Sequence, residues 1–366
     1  MKVLISGVGG PTPRSIARSL KKSSFSDCQL VGTDSNPLAH GLYDSALYSS
    51  THLIPSANEP GYWDALFELV RTEQFDFAMV HPEQEVIAWS KRKHEGKELP
   101  CDSLIPDYPL VEVLLSKSKM TKVLEDTPWV PRSYSFFRDR LDFKQLEQVL
   151  NYPFWVRASS GSSGLGSLQV YSKDELENWI DINPKVEEFI ASTFLPGRNL
   201  ACKLLYYNGE LVRSASGERV NYIMSKVAPS GITGNTSFGR LLNEPNLVEV
   251  ATQVMDKLFE ATQSHKHGFF TVDFKEDAYG TPYITEVNVR MVAFNYSFAM
   301  AGANFSEAII SLLSHDSSFD TSYQMYQFKE GQIFLRDVDA EPILMLESDL
   351  KKVEFLKGLS VGLQSY

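Results

Sequence analysis

The first third of the chain alternates short apolar runs with longer amphipathic segments. Branched apolar runs predict strands, and apolar residues at helical spacing predict helices. The predicted strands are 3–5, 30–33 and 75–80, and the predicted helices are 15–22 and 61–72. Strands that alternate with helices form a parallel sheet, and ligands of such sheets bind where the strands end. The expected substrate contacts are therefore the segments 7–13, 34–37 and 81–85.

The pattern changes after residue 110. A helix is predicted at 110–125, because Pro128 and Pro131 prevent it from continuing further. Further helices are predicted at 173–182 and 249–264, and strands at 189–194, 200–207, 210–215 and twice between 268 and 290. The segment 328–366 predicts a small strand-rich C-terminal appendage. The fold class is therefore α/β at the N-terminus and α+β afterwards, in four predicted units: 1–112, 113–195, 196–315 and 316–366.

Composition and charge exclude several classes of protein. The 366 residues are too many for one ordinary core, and 43% of them are hydrophobic and 22% charged, which is typical of globular proteins. The sequence has no apolar stretch long enough to span a membrane and no signal-peptide pattern, so a cytoplasmic location is expected. The three cysteines have no disulfide or zinc spacing. The net charge of -11 argues against binding to nucleic acid or anionic lipid, and the basic triplet 91–93 fits a solvated surface.

The strongest candidate chemistry lies in two strands joined by a short turn. Side chains alternate along a strand, so Asp273 faces one side of the first strand while Glu286, Asn288 and Arg290 share one side of the second. The short turn predicts antiparallel pairing, which brings these side chains together. Two carboxylates and an amide oxygen suit Mg²⁺, and Arg290 suits a phosphate oxygen. The alternative is the solvent-facing side of an ordinary amphipathic hairpin.

A second candidate site is a glycine- and serine-rich loop that follows a strand ending in Arg157. Glycines let backbone N–H groups approach an anion, and serine hydroxyls add donors. The residues concerned are Ser159, Ser160, Gly161, Ser162, Ser163, Gly164 and Gly166. The loop is neither a Walker A motif nor a dinucleotide fingerprint. Alone, such a loop is more often a flexible connection, but Arg157 at its start and the acidic hairpin downstream favour phosphate binding.

Along residues 1–312 the motifs follow one another in a fixed order: a lysine-bearing helix, a basic strand end with the glycine-rich loop, a Pro-Gly hinge and the acidic hairpin. In this order they resemble the ATP-grasp superfamily and its carbamoyl-phosphate-synthetase-like branch. The resemblance implies an N-terminal parallel-sheet domain, a two-lobed ATP-grasp fold and a small appendage. It implies that Lys117, or alternatively Lys119, and Arg157 contact the nucleotide phosphates, and that the segment 159–166 is the phosphate loop.

The resemblance also assigns a nucleotide base site and a metal site. Adenine would lie against Phe194 and Leu195, before Pro196 and Gly197. This chain has Thr193 and Asn199 where the family often has acidic residues, so Glu188 or Glu187 is the alternative ribose contact. The implied metal ligands are Asp273, Glu286 and Asn288, and the implied catalytic residues are Arg290 and Arg219. Arg219 lies in the glycine-rich segment 217–234, which is expected to close over the site, although an ordinary surface loop is equally compatible.

The reaction that the resemblance implies is ATP-dependent ligation. ATP and Mg²⁺, with Mn²⁺ as an alternative metal, would convert a carboxylate into an acyl phosphate, and an amine or similar nucleophile would displace phosphate. The expected partners are small molecules, without nucleic acid or membrane, and a homodimer stays open. Most of the catalysis would be positioning and electrostatics, which fits the lack of a recognisable Ser-His-Asp or Cys-His set.

Several alternatives stay open at this point. Gly7-Val8-Gly9-Gly10 with Asp34 could bind a nicotinamide cofactor, although the third glycine of that fingerprint is missing. The departures at the hinge fit a non-catalytic ATP-binding module, and carbamoyl phosphate synthesis is a third option. His81, followed by Glu83 and Glu85, fits a structural loop, a substrate contact or a general base.

Overall fold

The computed structural model describes residues 1–161, 164, 166–338 and 343–349. Its N-terminal part is a parallel sheet with the strand order β3-β2-β1-β4-β5. The elements in chain order are β1 Lys2–Ser6, α1 Pro11–Lys21, β2 Gln29–Asp34, a 3-10 helix His40–Tyr43, β3 Ser50–Leu53, α2 Tyr62–Glu73, β4 Phe77–Met79, α3 Glu83–His94 and β5 Asp102–Ser103. The predicted parallel sheet is confirmed, with strand ends shifted by one or two residues.

Two short helices replace the single helix predicted at 110–125, so that prediction is wrong. They are α4 Tyr108–Leu114 and α5 Lys117–Val123. Ser116 interrupts the helix because it caps α5, where its Oγ accepts a hydrogen bond from the backbone N–H of Lys119 at 3.2 Å. Ser116 also forms a β-bridge with Ser160, and the Lys117 N–H donates to the Ser159 carbonyl at 2.7 Å. The interruption therefore attaches the start of α5 to the glycine-rich loop.

A small antiparallel lobe follows, with its own hydrophobic core. Its elements are β6 Ser133–Phe137, α6 Phe143–Val149, β7 Phe154–Ala158, β8 Leu168–Val170, α7 Lys173–Ile182 and β9 Glu188–Thr193. The strand order is β6-β9-β7-β8. Helix α7 has the predicted bounds, since Ser172 caps its N-terminus by accepting a hydrogen bond from the Glu175 N–H.

The large lobe is an eight-stranded sheet with the order β14-β13-β10-β11-β12-β16-β17, to which β15 adds beside β11. Its strands are β10 Asn199–Tyr207, β11 Glu210–Tyr222, β12 Thr236–Leu242, β13 Gly268–Glu276, β14 Pro282–Asn288, β15 Gln324–Met325, β16 Gln332–Leu335 and β17 Ile343–Leu346. Its helices are α8 Pro245–Thr262, α9 Asn295–Met300, α10 Phe305–Leu313 and the 3-10 helices Ser225–Val227 and Glu347–Asp349. The described strands of the C-terminal segment thus extend the large sheet.

The N-terminal sheet is packed firmly against the large lobe. Strand β1 and helix α1 share one hydrophobic core with strands β10 and β13 and helix α10. At the contact, the backbone N–H of Tyr296 donates to Ser15 Oγ at 2.6 Å, and Asn304 Nδ2 donates to the Ser19 carbonyl at 2.9 Å. The segment after β14 is therefore anchored to the N-terminal sheet. Among the described helices, none has the length and apolar character needed to cross a bilayer.

Candidate active site

The predicted polar hairpin is present, with the predicted pairing. Strands β13 and β14 are antiparallel, and Asp273 lies directly opposite Glu286. Asn288 Nδ2 donates to Asp273 Oδ2 at 3.0 Å and to Glu286 Oε1 at 3.4 Å. The three side chains therefore converge on one point, and their oxygen atoms are ligands that suit Mg²⁺.

Three cations from three different elements surround the two carboxylates. Lys117 Nζ, from α5, lies 3.4 Å from Glu286 Oε2 and donates to the Gly161 carbonyl at 2.7 Å. Arg219 Nη2, from β11, donates to Asp273 Oδ1 at 2.6 Å. Arg157 Nη2, from β7, donates to the Thr285 carbonyl at 2.7 Å. The two lobes thus supply charges of the same sign to one place.

The electrostatic balance of this cluster is positive. Burial opposes ionisation of Glu286, but Lys117, Arg157 and Arg219 outweigh that effect and lower the pKa of Glu286 below its ordinary value. Burial, together with the charge of Glu286, raises the pKa of Asp273. Three cations therefore face one firmly ionised carboxylate and one that gains a proton more readily. Such a site is suited to a polyanion such as a nucleoside triphosphate.

A cavity of about 1030 Å³ extends from this cluster between the small and large lobes. Its volume is at the upper end of the range for small-molecule sites. Nine of the predicted site residues line it: Lys117, Arg157, Gly161, Gly164, Phe194, Leu195, Arg219, Asp273 and Glu286. The cavity thus connects the predicted base site at the hinge with the predicted metal site.

Other predicted residues lie around the cavity without lining it. Ser159 is buried and faces α5, where its Oγ lies 3.0 Å from Ser116 Oγ. Gly166 packs against β7 and accepts a hydrogen bond from Trp179 Nε1 at 2.9 Å. Glu188 contributes its backbone carbonyl to the Ser159 N–H, and its side chain does not line the cavity. Ser160 is exposed beside its bridge to Ser116.

Four further predicted residues need separate comment. Ser162 and Ser163 lie outside the described residues. Asn288 joins the carboxylates through the hydrogen bonds given above. Arg290 does not line the large cavity but lines a separate cavity at the N-terminal sheet, and its Nη1 donates to the Met291 carbonyl at 3.2 Å. Its predicted contact with a nucleotide phosphate stays a prediction.

Comparison with known proteins agrees with this architecture. The chain is 26% identical over 155 residues to D-alanine–D-alanine ligase B of Clostridium perfringens, a match that covers 41% of this chain and 48% of the relative. It thus spans about half the length of the curated relatives it matches. No family model matches the sequence.

Solved structures align over nearly the whole chain. The N5-carboxyaminoimidazole synthetase of Staphylococcus aureus, complexed with ADP, superposes with a TM-score of 0.68 at 14% identity, covering 91% of this chain and 81% of that one. The biotin carboxylase domain of the Hydrogenobacter thermophilus 2-oxoglutarate carboxylase, a dimer in complex with MgADP, superposes with a TM-score of 0.65 at 16% identity, covering 92% and 74%. The chain has the ATP-grasp fold. Similar ATP-grasp structures therefore include complexes with a nucleotide and with magnesium.

One polar residue of this ATP-grasp fold escaped the sequence analysis. Lys203, in β10, is fully buried on the same sheet face as Asp273. Its Nζ donates to Asn295 Oδ1 and lies 4.3 Å from the centre of the Phe294 ring, and burial lowers its pKa. Arg219 lies over the same ring at 5.0 Å. Lys203 therefore supports the wall behind Asp273 and Arg219. The signal that could have found it is a lone lysine within the apolar strand 200–206.

Two loops of the large cavity touch each other: the glycine-rich loop after β7, which contains Gly164, and the loop between β11 and β12, which contains Ile232. This contact yields a prediction for Gly164. Its φ is +75°, and a Cβ added there would lie 2.7 Å from the Ile232 carbonyl oxygen. We expect Gly164→Ala to hold the loops apart and to raise the KM for ATP about tenfold, since closure organises such sites. The measurement is ATP turnover against ATP concentration.

Gly209→Ala is the matched control for this substitution. Gly209 also has a positive φ, +102°, but a Cβ there would meet nothing within 4 Å, and it lies in the β10–β11 turn. Both variants should lose similar stability from the left-handed backbone, about 1–2 kcal/mol. Only Gly164→Ala should change the KM. An equal KM in the two variants would contradict the loop contact.

Proposed function

We propose that this protein is an ADP-forming ligase that phosphorylates a small carboxylate and joins it to an amine. The observation that carries the proposal is the convergence of Lys117, Arg157 and Arg219 on the Asp273–Glu286 pair at one end of the large cavity. The ATP-grasp fold and the relative named D-alanine–D-alanine ligase support the same reaction class.

The metal site fits magnesium by its donor set. Asp273, Glu286 and Asn288 would hold Mg²⁺, with Mn²⁺ as an alternative, and the metal would supply charge neutralisation at the transferring phosphoryl group. The Asn288 amide donates to both carboxylates, so the two side chains are already directed toward one point. Such preorganisation reduces the cost of assembling the site at the moment of reaction.

The cations would orient and stabilise the phosphates. Lys117 is fixed by the Gly161 carbonyl, and Arg157 by the Thr285 carbonyl, so neither needs to reorganise when phosphate arrives. Arg157 Nε is buried without a hydrogen-bond partner in the described protein. A buried donor without a partner is costly, so an oxygen acceptor is expected to complete it in the complex. Arg219 would then hold the acyl phosphate beside Asp273.

The nucleotide base would lie at the hinge end of the cavity. Phe194 and Leu195 line that end, together with Thr193, Asn199 and Lys275. Asp273 and Glu286 are the acidic residues among the described lining, and neither lies at the hinge. Recognition of the base would therefore rest on the backbone and apolar surface of the hinge, and the ribose would meet hydroxyl and amide groups. The prediction that Glu188 contacts the ribose loses support, because its side chain does not line the cavity.

The test is nucleotide turnover over a matrix of substrates. Purified protein is incubated with Mg-ATP, one carboxylate from a panel and one amine from a panel, and both ADP release and the mass of the ligated product are measured. We expect release of ADP and phosphate that requires both partners. Replacing the amine by hydroxylamine identifies the carboxylate alone, because hydroxylamine traps acyl phosphates as hydroxamates. Absence of any hydroxamate across a broad carboxylate panel would instead support a non-catalytic nucleotide-binding module.

A further inference from the structure

A second cavity, of about 370 Å³, lies where strands β1, β2 and β4 end. Its wall is formed by the loops after these strands and by Arg290, which comes from the large lobe. We call it the N-terminal cavity. Its volume is at the lower end of the range for small-molecule sites, so an occupant the size of an amino acid fits it. The proposed nucleotide and metal positions do not use it.

Glu85 is held rigidly in the wall of the N-terminal cavity. The Tyr62 hydroxyl donates to Glu85 Oε2 at 2.6 Å, and Trp89 Nε1 donates to the same hydroxyl at 2.9 Å. The Ser6 hydroxyl adds a further hydrogen bond to the carboxylate. Burial, with the nearby charge of Asp34, raises the pKa of Glu85 to about 7. Glu85 can therefore both accept and release a proton near neutral pH.

His81 contributes a second polar side chain to the wall of the same cavity. Its side chain is more than nine-tenths buried, and Nδ1 has no hydrogen-bond partner in the described protein. Hydrogen bonding to the Met79 backbone favours the protonated ring, but it does not offset the effect of burial. Burial lowers the pKa of His81 to about 4, which leaves the ring neutral at pH 7. A buried polar atom without a partner is suited to a ligand that forms a hydrogen bond with it.

Arg290 connects the N-terminal cavity to the polar hairpin of β13 and β14, which carries the proposed metal ligands. It lies two residues after Asn288, so the two Cα atoms are at most about 7 Å apart. The segment that follows is anchored to α1 through Tyr296 and Ser15. A ligand in the N-terminal cavity is consequently held close to the place where an acyl phosphate would form. Among the described residues of the cavity wall, Arg290 is the permanently charged cation.

We propose that the N-terminal cavity binds a small primary amine, the nucleophile of the ligation, and that Glu85 accepts its proton. The ammonium group has three donors, and Glu85 and Asp34 of the cavity wall supply carboxylate oxygens that can accept from it. This inference rests on the proposed ligase function. It assigns to the cavity a substrate and to Glu85 a catalytic role that the ATP site alone does not define.

The proposed step balances as follows in atoms and charge. Glu85 takes one proton from the ammonium, which leaves a neutral amine with a free electron pair. The amine nitrogen forms a bond to the acyl carbon, and the bond from that carbon to the phosphate oxygen breaks, with its electron pair leaving on phosphate. The second nitrogen proton passes to the departing phosphate. The products are an amide and hydrogen phosphate, and Glu85 then releases its proton to solvent.

The test compares amine ligation with hydroxylamine trapping in the Glu85→Gln variant. Hydroxylamine is neutral at pH 7 and needs no base, so hydroxamate formation reports the ATP half of the reaction and the integrity of the fold. The amines are the twenty standard amino acids and methylamine, used with the carboxylate that the hydroxamate assay identifies. We expect the ratio of amide to hydroxamate formation to fall about 100-fold, the lower end of the usual contribution of a general base.

Two further variants separate the possible causes. Glu95→Gln removes an exposed carboxylate at the other end of α3 and should leave both rates unchanged. Ser56→Trp fills the N-terminal cavity from an accessible loop without touching Glu85, and should raise the KM for the amine while amide formation at saturation persists. It serves as the second test if Glu85→Gln does not fold.

The outcomes distinguish this inference from the proposed function. If the unmodified protein forms no hydroxamate with any carboxylate, the ligase function itself fails. If hydroxamate forms but none of the amines couples, or if Glu85→Gln lowers amide and hydroxamate formation equally, the amine site is overturned while the ligase function stands. A fall in the ratio that is confined to Glu85→Gln, with a raised amine KM in Ser56→Trp, supports it.

Discussion

Glu286→Gln is expected to lower ATP turnover by at least about 1000-fold, because catalysis of phosphoryl transfer depends on the metal and its charge. The amide keeps the shape of the side chain but removes the negative charge opposite Asp273. It also leaves Lys117, Arg157 and Arg219 facing a single carboxylate, that of Asp273. The resulting excess of positive charge repels a divalent cation from the hairpin.

The measurement is ADP release against magnesium concentration, with ATP and the carboxylate at saturation. The loss should persist at high magnesium, because a ligand is missing as well as a charge. Nucleotide binding in the presence of EDTA, measured by calorimetry, should be retained or tightened. The triphosphate still meets the same three cations, and one carboxylate that would repel it has been removed. That combination separates a metal defect from an unfolded protein.

Asp277→Asn is the matched control for Glu286→Gln. Asp277 is a carboxylate of the same hairpin, but it lies in the turn, where Oδ1 accepts hydrogen bonds from the backbone of Tyr279 and Thr281. It does not line the large cavity. The variant removes the same charge from the same hairpin and should keep its ATP turnover. Near-normal turnover in Glu286→Gln would refute the assignment of Glu286 to the metal.

The polar hairpin of β13 and β14 was predictable from the sequence because its determinants are local. Alternation along two strands decides which side chains share a face, and a short turn decides how the strands pair. The cross-strand pairing of Asp273 with Glu286 therefore follows from few residues. The parallel N-terminal sheet was predictable for a similar reason. Helix α7 had a clear cap at Ser172 and a clear amphipathic pattern.

Features set by distant contacts were not predictable. The interruption at Ser116 depends on its bridge to Ser160, 44 positions further along the chain, and nothing in the apolar spacing around it indicates a break. Strand β11 continues to Tyr222, beyond the predicted end at 215, because β12 pairs with its second half. The direction of Arg290 depends on the docking of the N-terminal sheet. Alternation put it beside Glu286 and Asn288, but the strand ends at Asn288 and alternation no longer applies beyond it.

Arg157→Gln is expected to lower kcat/KM for ATP by about 100- to 1000-fold, the usual loss when one preorganised donor to a developing charge is removed. Arg157 crosses from the small lobe to the large lobe, where Nη2 donates to the Thr285 carbonyl next to Glu286. Burial lowers its pKa, and the charges of Glu286 and Asp273 oppose that effect. An uncharged amide loses both the attraction to phosphate and the link between the lobes.

Arg157→Lys tests which property of the arginine is needed. A lysine restores the charge, but its single nitrogen cannot hold the Thr285 carbonyl and reach a phosphate with the geometry of a planar guanidinium. We expect Arg157→Lys to recover about tenfold of the lost kcat/KM, mainly in kcat. A positive charge without the two parallel N–H groups of a guanidinium restores only part of the stabilisation of the phosphoryl group. Arg132→Gln, which removes an exposed arginine of the same lobe, should keep the parent kinetics. If Arg157→Gln changes kcat/KM no more than Arg132→Gln does, Arg157 serves only to join the lobes, and the phosphate site depends on Lys117 and Arg219 instead.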